Sequence, residues 1–284
     1  MRRATGRRAG VVVSLALLAG CGPEKVAPKE VAPRSTERAG PHDAAVPDKS
    51  DPAAAAVVGR CVAAATDNHP ERIAKTKATR VALTGRMARP GGSFVQTARR
   101  FDSVWADRFR LADEFTENGA VALTCGLRRP DFWIRVRRDG ATTPVAPPDP
   151  QRAEAVFAAE VMGRHWLTLL TPLADPATVV FDSKKLTADG RPADAIKVAV
   201  KGYPVFTASF DAATGHLGRV DFTSVEARGT VQKTSTVSLP KAFGGLLLPT
   251  RLEYRENGQL LEEWTVEQWE FPDTIDDVTF DPPK

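Results

Sequence analysis

The sequence predicts a mainly β, α+β protein: a curled antiparallel sheet with one helix ahead of it and a second inserted halfway. Three observations carry this. Turn signals recur at Pro90-Gly91-Gly92, Asn118-Gly119, Asp139-Gly140, Asp189-Gly190, Thr214-Gly215 and Asn257-Gly258, and Asn-Gly and Asp-Gly tolerate the positive φ of tight hairpin turns. Between them, apolar and polar residues alternate with a period of two, as in a sheet with one wet face. The period lengthens to three and four in only two places.

The first ten residues carry Arg2, Arg3, Arg7 and Arg8 and no acid, and Val11 to Gly20 is apolar or small. A basic start followed by so short an apolar run reads as a secretory signal over 1–20, too short to span a bilayer. Leu18-Ala19-Gly20-Cys21 fits a lipobox, which makes Cys21 the acylated residue and the anchor. From there to residue 51 the chain is rich in Pro, Ala, Lys and Glu, a tether unable to bury enough apolar surface to order itself. Residues 52–284 remain as one domain with a real core.

The four signal arginines account for the whole formal charge of +4; the rest carries 35 basic and 35 acidic residues. The basic isoelectric point therefore points to no nucleic acid, and no basic stripe interleaved with aromatics replaces it. A local cluster at Arg128-Arg129 and Arg135, Arg137 and Arg138 reads as a solvated sheet face.

Within the domain, Asp51-Pro52 caps a helix over Ala53–Ala65, with Val57, Val58, Cys61, Val62 and Ala65 on one stripe. Strands follow from Ile73. Phe132, Ile134 and Val136 alternate with Arg135 and Arg137. "PQRAEAVFAAEVMGRHWLTLLTPLADP" then returns to helical spacing, giving a helix over Arg152–Leu170 with Phe157, Val161, His165/Trp166 and Leu169/Leu170 on its buried side. Alternation resumes at Ile196, Val198 and Val200, then Phe206, Ala208 and Phe210, Val220 and Phe222, Leu252 and Tyr254, Trp264 and Val266. The Gly pair in "AFGGLLLP" reads as a bulge or loop. Both helices bury their stripes on the concave side of the sheet. Cys61 and Cys125 then both point inward, which leaves open a Cys61–Cys125 disulfide or two separate buried thiols.

Catalytic signatures are missing. His42, His69, His165 and His216 each stand in a different context, so no metal site is expected; there is no nucleophile elbow, P-loop or dinucleotide fingerprint. Adjacent acids such as Glu262-Glu263 point to opposite faces of a strand. What remains is an apolar interior, either filled or hollow. A hollow one would be lined by Phe132, Ile134, Phe206, Phe210, Phe222 and Trp264 from strands and by Phe157, Val161 and Trp166 from the second helix, a lining suited to acyl chains and needing no cofactor.

This order of elements resembles the LolA/LolB-like lipoprotein carriers. "VALTGRM" (81–87) is similar to that family's opening strand, and "ADRFRLADEFTENG" (106–119) to a later one. The C-terminal run 246–283, ending in Ile275, Asp276, Phe280 and Pro283, is the nearest match. The resemblance implies an unclosed β-barrel with a helical lid over a cavity for lipid or lipoprotein acyl chains. It also implies an inward arginine that contacts the lid, at Arg99 or Arg100. The expected protein is a non-enzymatic monomer, anchored by its N-terminal lipid and facing the periplasm at the outer membrane. Its rivals are a structural or protein-binding envelope module with a filled core, and a hydrolase with carboxylates at the barrel mouth.

Overall fold

The computed structural model describes residues 46–89, 92–115, 121–128, 131–138, 140–188, 190–226 and 229–283. The signal peptide, Cys21 and nearly all of the tether lie outside the described residues.

Helix α1 (Pro52–Thr66) begins as its sequence dictates: the Asp51 carboxylate accepts from the Ala53 amide at 2.9 Å and Pro52 takes the first position, where no N–H is needed. Ala54, Val57, Cys61 and Ala65 form its buried stripe. A 3-10 segment, Pro70–Lys77, leads into the first meander. This comprises β1 (Ala78–Ala88), β2 (Phe94–Val104), β3 (Arg108–Phe115), β4 (Val121–Arg128), β5 (Asp131–Arg138) and β6 (Ala141–Pro144). Helix α2 (Pro150–Val161) interrupts it. The second meander follows with β7 (Val179–Ala188), β8 (Arg191–Ala199), β9 (Phe206–Asp211), β10 (Leu217–Glu226), β11 (Gly229–Phe243), β12 (Leu246–Glu256) and β13 (Gln259–Glu270).

The strands form one 13-stranded sheet in the order β6-β5-β4-β3-β2-β1-β13-β12-β11-β10-β9-β8-β7. Every neighbouring pair is antiparallel, and the first and last strands meet, with Val81 opposite Trp269 and Gly85 opposite Trp264. The sheet's free edges are β6 and β7, so the barrel is unclosed and its gap falls where the helix is inserted. Helix α1 packs on β7, β8 and β12, and α2 packs on β10. A single core cluster joins both helices to both meanders.

Three expectations need correction and two open alternatives are resolved. The strands do not begin at Ile73, because Pro70–Lys77 is a 3-10 segment and β1 starts at Ala78. The second helix does not run to Leu170: its α-helical part ends at Val161 and continues as a π-helical turn, Met162–Trp166, in which the Leu167 amide reaches back to Met162 O at 3.0 Å. Gly163 sits in that turn because a Cβ there would lie 2.6 Å from the Phe222 ring; glycine lets the helix press on the sheet while weakening it locally. Of the two alternatives for the Gly pair, a bulge or a loop, it is the loop, a two-residue hairpin turn. Gly244 and Gly245, at φ 57° and 84°, join the paired residues Phe243 and Leu246, as a type I′ turn requires. Of the two alternatives for the cysteines, the structure has the separate, buried thiols Cys61 and Cys125, and burial pushes the Cys61 thiol up to about 12 and that of Cys125 further still. Lastly, the concave face is not purely apolar, because several charged residues point into it.

Candidate functional site

The candidate site is the ground beneath α2 and its π turn, a lid laid across the concave face. The lid's apolar side is seated by aromatic contacts. Phe157 meets Phe132 at 5.3 Å between centroids, His165 stacks on Phe101 at 4.0 Å, and Trp166 meets Trp105 edge-on at 5.2 Å. Phe206 and Phe222 touch at 5.1 Å beneath Gly163. The structure thus brings together the residues expected to line a hollow. Ile134, Val161, Trp166, Phe206, Phe210, Phe222 and Trp264 are all buried in one cluster, with Phe132 and Phe157 packed against it. In this arrangement they fill space against each other.

A cavity of about 30 Å³ lies to one side, between α1, the residues after the lid, and β11/β12. Cys61, Ala65, Leu170, Leu247 and Pro249 line it, with His216 among its polar walls. That volume holds one or two waters and no acyl chain.

Between lid and sheet runs a chain of buried ions of which sequence reasoning put forward only Arg99 for the site. Arg99 on β2 points inward and grips Asp113 on β3 with both ends of its fork, at 2.6 and 2.9 Å. It also donates to Glu262 on β13 at 2.8 Å and lies 4.2 Å from the Trp264 ring centroid. Glu262 accepts from the Trp264 indole at 2.8 Å and from Arg164 of the lid at 3.0 Å. Arg164 lies over the Tyr254 ring and pairs with Glu160 one turn back at 3.2 Å. Glu160 accepts from Lys233 on β11, whose ammonium is fully buried and also meets Glu226 at 2.7 Å and Glu256 at 3.3 Å. Two lid residues, Glu160 and Arg164, are therefore tied to two strands on the opposite wall.

The electrostatics follow from this alternation. Burial alone would raise the Glu262 carboxyl, but Arg164, Arg99 and the Trp264 indole overcome it and hold it down to about 2. Glu160 is lowered likewise, burial being outweighed by Lys233 and Arg164. Lys233 keeps its proton far above its ordinary range for the same reason. The carboxylates Glu160, Glu226 and Glu256 converge closely enough to hold a metal, but the Lys233 ammonium already stands among them. His165 is the opposite case. It has no hydrogen-bond partner at either ring nitrogen, and burial, then Arg99 and Arg164, pushes it down to about 3, so it is neutral.

The two arginines put forward for a lid contact separate cleanly. Arg99 is inward and reaches the lid through Glu262. Arg100 is on the convex face, exposed, 3.6 Å from Asp102, because successive strand residues alternate faces; it has no part in the site.

No family model and no curated protein matches the chain. Solved structures do. The chain is similar to a LolA superfamily protein from Nitrosomonas europaea, with 13% identity over 81% of this chain and 97% of that one and a TM-score of 0.49. It is also similar to a DUF1329 family protein from Desulfovibrio piger, with 12% identity over 82% and 98% and a TM-score of 0.50. The second likeness agrees with the open 13-stranded sheet and its helical cover. The fold is an unclosed antiparallel half-barrel. At these identities the likeness is one of fold, and it spans nearly the whole of the solved chain. This half-barrel places its helical cover, its apolar concave face and its inward arginine in one region.

Proposed function

We propose that this is a lipid-anchored envelope lipoprotein, facing the periplasm from the outer membrane, that takes up a lipid or lipoprotein acyl chain when the α2 lid lifts from the concave face. The described arrangement is then the closed state. One observation carries the reading: the apolar face of an open barrel is covered by a separate element whose seat is aromatic and whose rim is ionic. Lifting that element would free Phe132, Phe206 and Phe222 for a ligand, each buried methylene contributing roughly 0.8 kcal/mol. The π turn and Gly163 weaken the lid where it would have to bend. A filled, protein-binding module is the second reading, favoured by the close packing under the lid and the water-sized cavity.

The test uses the full chain carrying Cys21→Ala, so that no acyl anchor of its own interferes. After delipidation it is titrated with a fluorescent fatty acid and then with phospholipid, and hydrogen exchange is followed over 150–174. Saturable probe uptake, with lid amides that exchange fast when empty and slowly when loaded, supports a carrier. Lid amides as protected as the central strands, with no probe uptake, would leave only the filled module.

A further inference from the structure

The convex face of the first meander differs from the seam of β1, β12 and β13 beside it. Over β1, β12 and β13 the outward charges are matched: Arg86 pairs with Glu263, which also meets Arg251, and Glu253 meets Arg255. Over β2 to β5 the outward residues between the charges include the small Ala98, Ala112, Ala122 and Thr124, with Gln96 on β2 and the half-buried Trp133 laid over Gly126. Above this floor stand Arg100, Arg110, Arg135 and Arg137. The register places Arg100, Ala112, Thr124 and Arg135 in one row across four strands, so the two arginines are roughly 14 Å apart. Arg110 lies two residues along from that row and Arg137 two residues the other way.

Their balance is uneven. The C-terminal segment takes up the neighbouring basic residues, Asp277 binding Arg108 and Asp281 binding Arg128 at 3.1 Å. Asp102 is shared between Arg80 at 3.1 Å and Arg100 at 3.6 Å, and Glu114 meets Arg137 at 3.4 Å. Among the described residues no carboxylate reaches Arg110 or Arg135, and Arg110 Nε is buried with no partner at all. Beside Arg110, across the Arg110–Gly126–Trp133 register, the half-buried Trp133 indole lies against the bare Gly126 backbone and donates to Phe280 O at 2.9 Å. A tryptophan at the edge of an arginine cluster suits the boundary between headgroups and water.

We propose that this face, with Arg100, Arg110, Arg135 and Arg137 over a floor of small residues and Trp133 at its edge, docks the protein on an anionic lipid surface. Guanidinium forks bind phosphate oxygens in pairs, and the low floor lets a headgroup phosphate be reached from more than one side. With this face held down, the concave face and its lid point away from the lipid. The inference is independent of whether the interior binds an acyl chain.

The experiment uses the full chain carrying Cys21→Ala and sedimentation with vesicles of phosphatidylcholine alone or of phosphatidylcholine with phosphatidylglycerol. Binding should need the anionic lipid and weaken with salt. Each patch arginine contributes about fivefold to the partition coefficient, so the variant R110Q/R135Q/R137Q should lose roughly a hundredfold. The charge-matched variant K185Q/K201Q/K241Q, on the other meander, should lose only a few-fold. Matching circular dichroism melts keep the comparison between folded proteins. Equal losses in the two variants, equal binding to both vesicles, or binding to polyglutamate with no vesicle binding would each overturn the proposal. Fatty-acid displacement should be unchanged in the arginine variant.

Discussion

His165 offers a sharp test of the lid's seat. It lies stacked on Phe101, with both ring nitrogens unpartnered, and Arg99 and Arg164 are the cations that face it, with Glu262 the nearby acid. A histidine of ordinary pKa 6.5 in the unfolded chain and about 3 in the folded one binds its proton more readily when unfolded. Stability is then full above pH 6.5 and falls as pH drops through that window, by about 1.4 kcal/mol per unit. Between about pH 7.5 and pH 5 the loss is about 2 kcal/mol. Glu262, held at about 2, loses its contribution only below its unfolded value near 4.5 and so does not act in this range. Burial raises Asp113, which opposes the histidine, but it is common to wild type and variant and cancels in the difference. Urea unfolding of wild type and His165→Phe at the two pH values measures it. The variant should be more stable at neutral pH by about 1–3 kcal/mol, since no buried polar atom is left unpaired there, and the gap should widen by about 2 kcal/mol at the lower pH. An unchanged gap would show that the imidazole is not buried neutral, and the described lid seat would be wrong.

Three further outcomes follow from the ion chain and the thiols. Lys233→Met leaves Glu160, Glu226 and Glu256 facing each other without their shared ammonium and should cost about 3–5 kcal/mol in urea unfolding, partly recovered toward acid pH as a carboxyl takes a proton. Arg99→Ala should cost a similar amount by stranding Asp113 and Glu262, whereas Arg100→Ala, its neighbour on the wet face, should fall within about 0.5 kcal/mol of wild type. Cys61 and Cys125 should both resist a thiol reagent in the native domain and both react after unfolding, without a reductant; a requirement for reductant would mean they are paired.

Much of the fold is legible in period alone. Phe206, Ala208 and Phe210, or Val220 and Phe222, can face only one way, and the structure buries all five. Asp51 with Pro52 marks the start of α1 within a residue. Periodicity carries α2 too far because its apolar spacing continues through Trp166 and Leu169, while the backbone widens to a π turn that periodicity does not register. The site was hardest to see, for a different reason. Charged residues on strands are by default assigned to water, yet parity already contradicted that. Arg99 shares a face with Val95 and Phe101, Glu262 with Trp264, Lys233 with Val231 and Val237, and Glu256 with Leu252 and Tyr254. Cross-strand register then brings Arg99 opposite Asp113 and Lys233 opposite Glu256. Parity was in the sequence; cross-strand partners 14 to 163 residues away were not.

The sheet's gap lies in mid-chain, and this has a consequence for assembly. Each meander is contiguous, so its hairpins can zip locally, but the seam between β1 and β13 joins residues as far apart as Arg80 and Glu270, the kind of distant closure that slows folding. The cover over the gap belongs to the later half yet rests on Phe101 and Phe132 of the earlier one. A polypeptide severed between Val145 and Asp149 would keep two self-contained ribbons with complementary edges and a strap reaching from one to the other, so the pieces are built to find each other again as separate molecules.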